Sequence, residues 1–162
     1  HCLYFLVPIG ILTATFFFTG FDRLSPLHEY ESRLQSNQLS NEWVTLLFLE
    51  IEDRLSVEEK LMQIRPRASY YGYSAELYYL RAKLRTHQMA KNPATSFGAT
   101  MLVKEDLLDA EKTLETMLHE LKLPPPYAHR EKPNWTRKDA ELLLQAVRRE
   151  LDELTSFLAD NS

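Results

Sequence analysis

The sequence predicts an all-α protein: a single N-terminal transmembrane helix, then a helical bundle that ends in an antiparallel helical hairpin. Three observations lead there. The run from Leu3 to Phe21, LYFLVPIGILTATFFFTGF, contains no charged residue. Two stretches near the C-terminus repeat one apolar spacing. The chain also holds only 4 glycines in 162 residues, too few for the turns of an all-β design.

The apolar run comes first. Its length at the helical rise is about 28 Å, close to the roughly 30 Å hydrocarbon core of a bilayer. Phenylalanine and aliphatic residues lie all round the helix, leaving no polar face for water. Pro8 and Gly10 would weaken a helix in water but are common in membrane spans. A cleaved signal peptide would show a basic start, a shorter apolar core and an Ala-x-Ala site, and none of these occurs. Asp22 and Arg23 mark the exit into water. Arg23 and Arg33 are offset by Asp22, Glu29 and Glu31, which leads to the expectation of a domain outside the cytoplasm. The expected organisation is an anchor over 1–23, a linker with a short helix over 24–40, and a bundle domain over 41–162.

Ser25 and Pro26 open the linker helix, predicted to reach about Leu34, with a polar run to Ser40 behind it. Ser40 or Asn41 caps a helix whose apolar positions are Val44, Phe48, Ile51 and Leu55. Ser56 and Glu59 form a capping-box pattern, which predicts a kink or restart. Arg65-Pro66-Arg67 ends the helix, because a residue before proline is driven out of the α region. Ser74 is the expected cap of the next helix, carrying Leu77, Leu80 and Leu84 to about Met89. Asn92-Pro93 stops it, and Ala94–Thr100, with Gly98, reads as a loop.

The C-terminal third carries the clearest pattern. Val103, Leu107, Ala110, Leu114, Met117 and Leu121 follow alternating steps of four and three. Ala140, Leu144, Val147, Leu151, Leu154 and Leu158 follow the same steps. A proline-rich connector, Pro124-Pro125-Pro126 and Pro133, joins the two, and Thr136 with Asp139 forms a second capping-box pattern. An antiparallel hairpin is the economical arrangement, with a parallel coiled-coil dimer as the other use of the seam. Leu108, Leu118 and Leu143 fall off the seam and point to packing on further helices. The stretch from Ser74 to Leu121 is also similar to one tetratricopeptide-type helix pair, through Ala75, Leu77, Leu80, Leu84, Ala110, Leu114 and Met117. It departs from that motif in its long loop, in lacking the Trp, Gly and Tyr signature, and in showing no second repeat.

Charge and chemistry narrow the function classes. With 19 basic and 23 acidic residues the net charge is -4, which argues against a general nucleic-acid binder. Cys2 is the only cysteine, so no intrachain disulfide forms. The five histidines lack metal-motif spacing, and Glu115 with His119 is too small a set for a metal. No nucleophile elbow, phosphate loop or dinucleotide fingerprint occurs. The expectation is therefore no catalytic residue, no metal and no cofactor.

What stands out is aromatic. Tyr70, Tyr71, Tyr73, Tyr78 and Tyr79 cluster beside Arg65, Arg67 and Arg81. Tyrosine and arginine are favoured at interfaces because they join large area to polar ends. Arg67, Tyr71, Tyr73, Tyr78 and Arg81 are the candidate partner-binding residues, with packing inside the domain as the alternative use of the rings. The function expected is a membrane-anchored, non-catalytic subunit or adaptor, partnered by the lipid bilayer and by other protein subunits of a membrane complex. The alternative is a ligand-sensing bundle with a pocket near the tyrosines.

Overall fold

The computed structural model describes residues 25–27, 30, 40–91, 96–123 and 135–160. The apolar run, most of the linker, the Asn92-Pro93 stop and the proline-rich connector lie outside these residues. Within them the protein is an all-α four-helix bundle: α1 (Asn41–Ile64), α2 (Ala68–Lys91), α3 (Ser96–Glu120) and α4 (Arg137–Asp160). Among the described residues no helix is long and apolar enough to cross a membrane.

Helix α1 starts where Ser40 caps it, its side chain accepting from the Trp43 N–H at 3.3 Å. Val44, Leu47, Ile51, Leu55 and Glu58 form the buried face. The expected restart at Ser56 does not occur. The helix runs unbroken to Ile64, because the four-three row continues through Glu58 and Glu59 is engaged by the hydroxyl of Tyr78. Pro66 closes it, as expected.

Helix α2 begins at Ala68, six residues ahead of the expected cap. The Arg67 carbonyl accepts from the N–H groups of Tyr70 and Tyr71, and Ser74 is fully buried inside the helix. Tertiary packing overrides the weak helix preference of this Ser-Tyr-Gly run. Gly72, Tyr73, Ala75, Leu77, Leu80 and Leu84 are all buried, so α2 is covered on most of its circumference, as a central helix should be. On one side it joins Tyr30, Val44, Leu47, Ile51 and Leu55 in one core. On the other it joins the apolar faces of α3 and α4.

Helix α3 takes in Gly98, correcting the expected loop from Ser96 onward. Val103, Leu107, Ala110, Leu114 and Met117 are buried, as are Ala140, Leu144, Val147 and Leu151 of α4. Arg148 reaches Glu111 and Glu115, and Arg137 reaches the Leu118 carbonyl, so the two helices run antiparallel. Of the off-seam leucines, Leu143 is buried, Leu118 is half-buried and Leu108 is exposed. The capping box at Thr136 is formed: its hydroxyl accepts from the Asp139 N–H at 3.2 Å, and Asp139 Oδ2 accepts from the Thr136 N–H at 2.9 Å. Helices α2 and α3 have 24 and 25 residues, longer than a 34-residue tetratricopeptide unit can hold.

The two helical glycines differ in their surroundings. A methyl added at Gly72 would lie 2.0 Å from Cε2 of the Trp135 indole, whereas one at Gly98 would meet nothing within 4 Å. Gly72→Ala should therefore cost about 1–3 kcal/mol through overpacking, despite a helix-propensity gain of about 1 kcal/mol. Gly98→Ala should gain up to about 1 kcal/mol. Thermal melts of the two variants check the opposite signs, and the displaced Trp135 should emit at longer wavelength in the first.

Candidate functional site

The charged side chains of the interior converge on α2. Arg81 donates from Nε to Asp106 Oδ1 at 2.8 Å and from Nη1 to Glu52 at 2.6 Å. Arg85 donates from Nε to the other oxygen of Asp106 at 2.7 Å. One carboxylate of α3 thus joins two guanidiniums of α2, and Arg81 carries the link on to α1. Burial pushes the Asp106 carboxyl above its ordinary range, while the two arginines pull against it. Tyrosines extend the network: Tyr78 donates to Glu59 of α1, and Tyr79 donates to Glu150 of α4. Burial, and then Glu59, hold the Tyr78 hydroxyl well above the ordinary phenol range.

These contacts locate the five expected interface residues. Tyr73 is buried in the core between α2, α3 and α4, and Tyr71 packs half-buried against the same core. Tyr78 is half-buried, with the Arg81 guanidinium 5.4 Å from its ring centre. Arg81 is held between Glu52 and Asp106. Arg67 alone of the five is exposed, at the turn between α1 and α2. No single exposed face carries all five.

A second constellation involves the stretch just after the apolar run. Glu76 of α2 is buried, and its carboxylate accepts from the Ser25 hydroxyl at 2.7 Å and from the Leu27 N–H at 3.1 Å. It therefore sits at the start of the helical turn bearing Pro26 and Leu27 and takes the Leu27 N–H there, Pro26 having none to offer. Tyr30, 1% exposed, donates to Glu50 of α1 at 2.6 Å, with Arg54 above its ring. The linker stretch is thus part of the bundle's core at these positions.

Burial raises the Glu76 carboxyl from 4.5 to about 7, and the Ser25 and Leu27 contacts only partly offset this. A raised folded-state pKa gives a contribution that is complete below the unfolded value and lost as pH rises through about 7. Glu76→Gln should remove that dependence. The difference in unfolding free energy between the variant and the parent should grow in the variant's favour between pH 5 and 8, by on the order of 3 kcal/mol. Chemical denaturation of both proteins across that range measures it, and parallel curves would refute the assignment.

Sequence reasoning missed Glu76, Asp106 and Glu58, yet the signal was present. Asp106 lies three residues from Val103 and four from Ala110, and Glu58 lies three from Leu55. Each is a charge set inside an apolar row, where burial requires a partner. Among the described residues no three His, Cys, Asp or Glu side chains are grouped to hold a metal ion. Glu115 and His119 border an open hollow on α3, but Glu115 is engaged by Arg148. No family model, curated protein or solved structure matches the chain. Among the described residues the large exposed apolar side chains fall in two places. Trp43, Leu46, Leu49, Val57 and Ile64 lie on α1, and Met101, Leu102, Leu108, Leu142 and Phe157 lie on α3 and α4.

Proposed function

We propose that this chain is a membrane-anchored, non-catalytic subunit or adaptor, which holds a helical bundle at a bilayer and docks partner proteins there. The observation that carries the reading is the attachment of Ser25 to Glu76. A 19-residue uncharged run ends at Phe21, and Ser25, four positions on, is fastened into the bundle. Such a short connection keeps the bundle beside whatever holds the apolar run. Arg81, Arg85, Glu52 and Asp106 pair with one another and tie α1, α2 and α3 into one body for the run to hold.

Tethering of this kind replaces bulk concentration with a local one, so modest docking surfaces suffice. The exposed apolar side chains of α3 and α4, with Arg67 and the accessible edge of Tyr71, are the surfaces offered to a protein partner. The soluble domain is placed in this reading on the non-cytoplasmic side. Purification of the full chain in mild detergent, followed by identification of what remains bound, tests the proposal. Stoichiometric protein subunits are expected. A bound small molecule with no protein would favour the ligand-sensing alternative.

A further inference from the structure

Among the four described helices, α1 lies at the edge of the bundle and packs against α2 alone. Its outward side is unexpectedly apolar. Trp43, Glu50, Val57 and Ile64 are spaced by seven and share one row, about 32 Å long at the helical rise. Leu46 and Leu49 stand beside it. Trp43 is 62% exposed, Leu46 58%, Leu49 57% and Ile64 80%. A row of large apolar groups open to solvent on one helix marks an interaction surface.

The linker stretch indicates what covers it. The Tyr30 hydroxyl is bonded to Glu50, the one polar member of that row. Tyr30 therefore lies at the flank of the apolar surface, five residues beyond Ser25, which is bonded to Glu76 of α2. Between Phe21 and Ser25 stand only Asp22, Arg23 and Leu24, which reach about 14 Å when fully extended. The headgroup layer is itself some 5–8 Å deep, from the difference between core and total bilayer thickness. If the apolar run spans the bilayer, the flank of α1 stands at the level of the headgroups.

From this placement we infer that the outer row of α1 lies in the headgroup layer of the membrane, with Trp43, Leu46, Val57 and Ile64 dipping toward the acyl chains. The inference rests on the anchored reading given above. Tryptophan is suited to such a layer, since its ring is amphipathic. The charges in and beside the row are mostly acidic, Glu50 within it and Glu42 and Asp53 beside it against Lys60, so neutral phosphatidylcholine suffices and acidic lipid gives no advantage. Contact along α1 would fix the bundle's orientation and leave α3 and α4 facing away from the bilayer.

The test uses the full chain reconstituted into phosphatidylcholine vesicles, with and without lipid brominated in the upper acyl chain. Flotation of the vesicles reports anchoring separately. Trp43→Phe supplies the background from buried Trp135, and Ile64→Trp or Leu142→Trp in that background moves the probe along the row or onto α4. Strong quenching and short-wavelength emission at positions 43 and 64, without quenching at 142, are expected. A floating chain whose Trp43 emits as in water and is not quenched would overturn the inference and leave the anchor intact. Unquenched short-wavelength emission that reddens as protein is diluted in the vesicles would assign the row to a second copy, and would equally overturn it. A chain that does not float would remove both readings.

Discussion

Asp106→Ala is expected to destabilise the bundle by about 3–5 kcal/mol, since it strips the carboxylate from two partly buried guanidiniums. The Asp106 side chain is 3% exposed and that of Arg81 is 16% exposed. Neither Arg81 nor Arg85 can lose its charge, so removing Asp106 leaves both without their inward counter-ion, and Glu52 reaches only one of them. For a chain of this size the thermal midpoint should fall by roughly 10 °C. The control is Arg148→Ala, which breaks ion pairs with Glu111 and Glu115 on the exposed side of α3 and α4. Exposed pairs add little, so its midpoint should stay near that of the parent. Equal losses from the two variants would contradict the ranking of buried over exposed charge.

Leu114→Ala is the second large effect. Leu114 is completely buried at the middle of the α3 seam, among Leu107, Ala110, Met117 and the inward residues of α4. Truncation leaves a cavity that neighbouring backbone can only partly fill, at about 2–5 kcal/mol. Leu151, 8% exposed and nearer the C-terminal end of α4, should fall toward the lower end of that range. Leu114→Met, which keeps volume, should cost less than about 1.5 kcal/mol. Urea unfolding of the three variants gives the order directly. An unchanged midpoint for Leu114→Ala would show that the seam is not the core.

The long apolar rows were legible because a period of 3.6 survives any choice of neighbours. Val103 to Met117 and Ala140 to Leu151 are buried as their spacing requires. Local punctuation was less dependable. Ser74 and Gly98 look like a cap and a loop, yet both lie inside helices. At Gly72 the reason is visible: the residue gives room to the Trp135 indole, a contact across 63 positions that no local window contains. The tyrosines resembled an interface for a related reason. Tyr78 and Tyr79 do carry polar ends to partners, but those partners are Glu59 and Glu150 of the same chain. Composition alone does not distinguish an internal carboxylate from one on another protein. Tyr30 gave no sign in the linker of its place in the core, since its partners Glu50 and Arg54 sit in the next helix.

Alkaline carbonate extraction of membranes from cells making the full chain, beside a version that begins at Asp22, measures the central claim most directly. The expected result is that the full chain stays in the membrane pellet while the shortened chain is released and still melts cooperatively. Release of both chains alike would contradict a bundle held at the bilayer by residues 3–21.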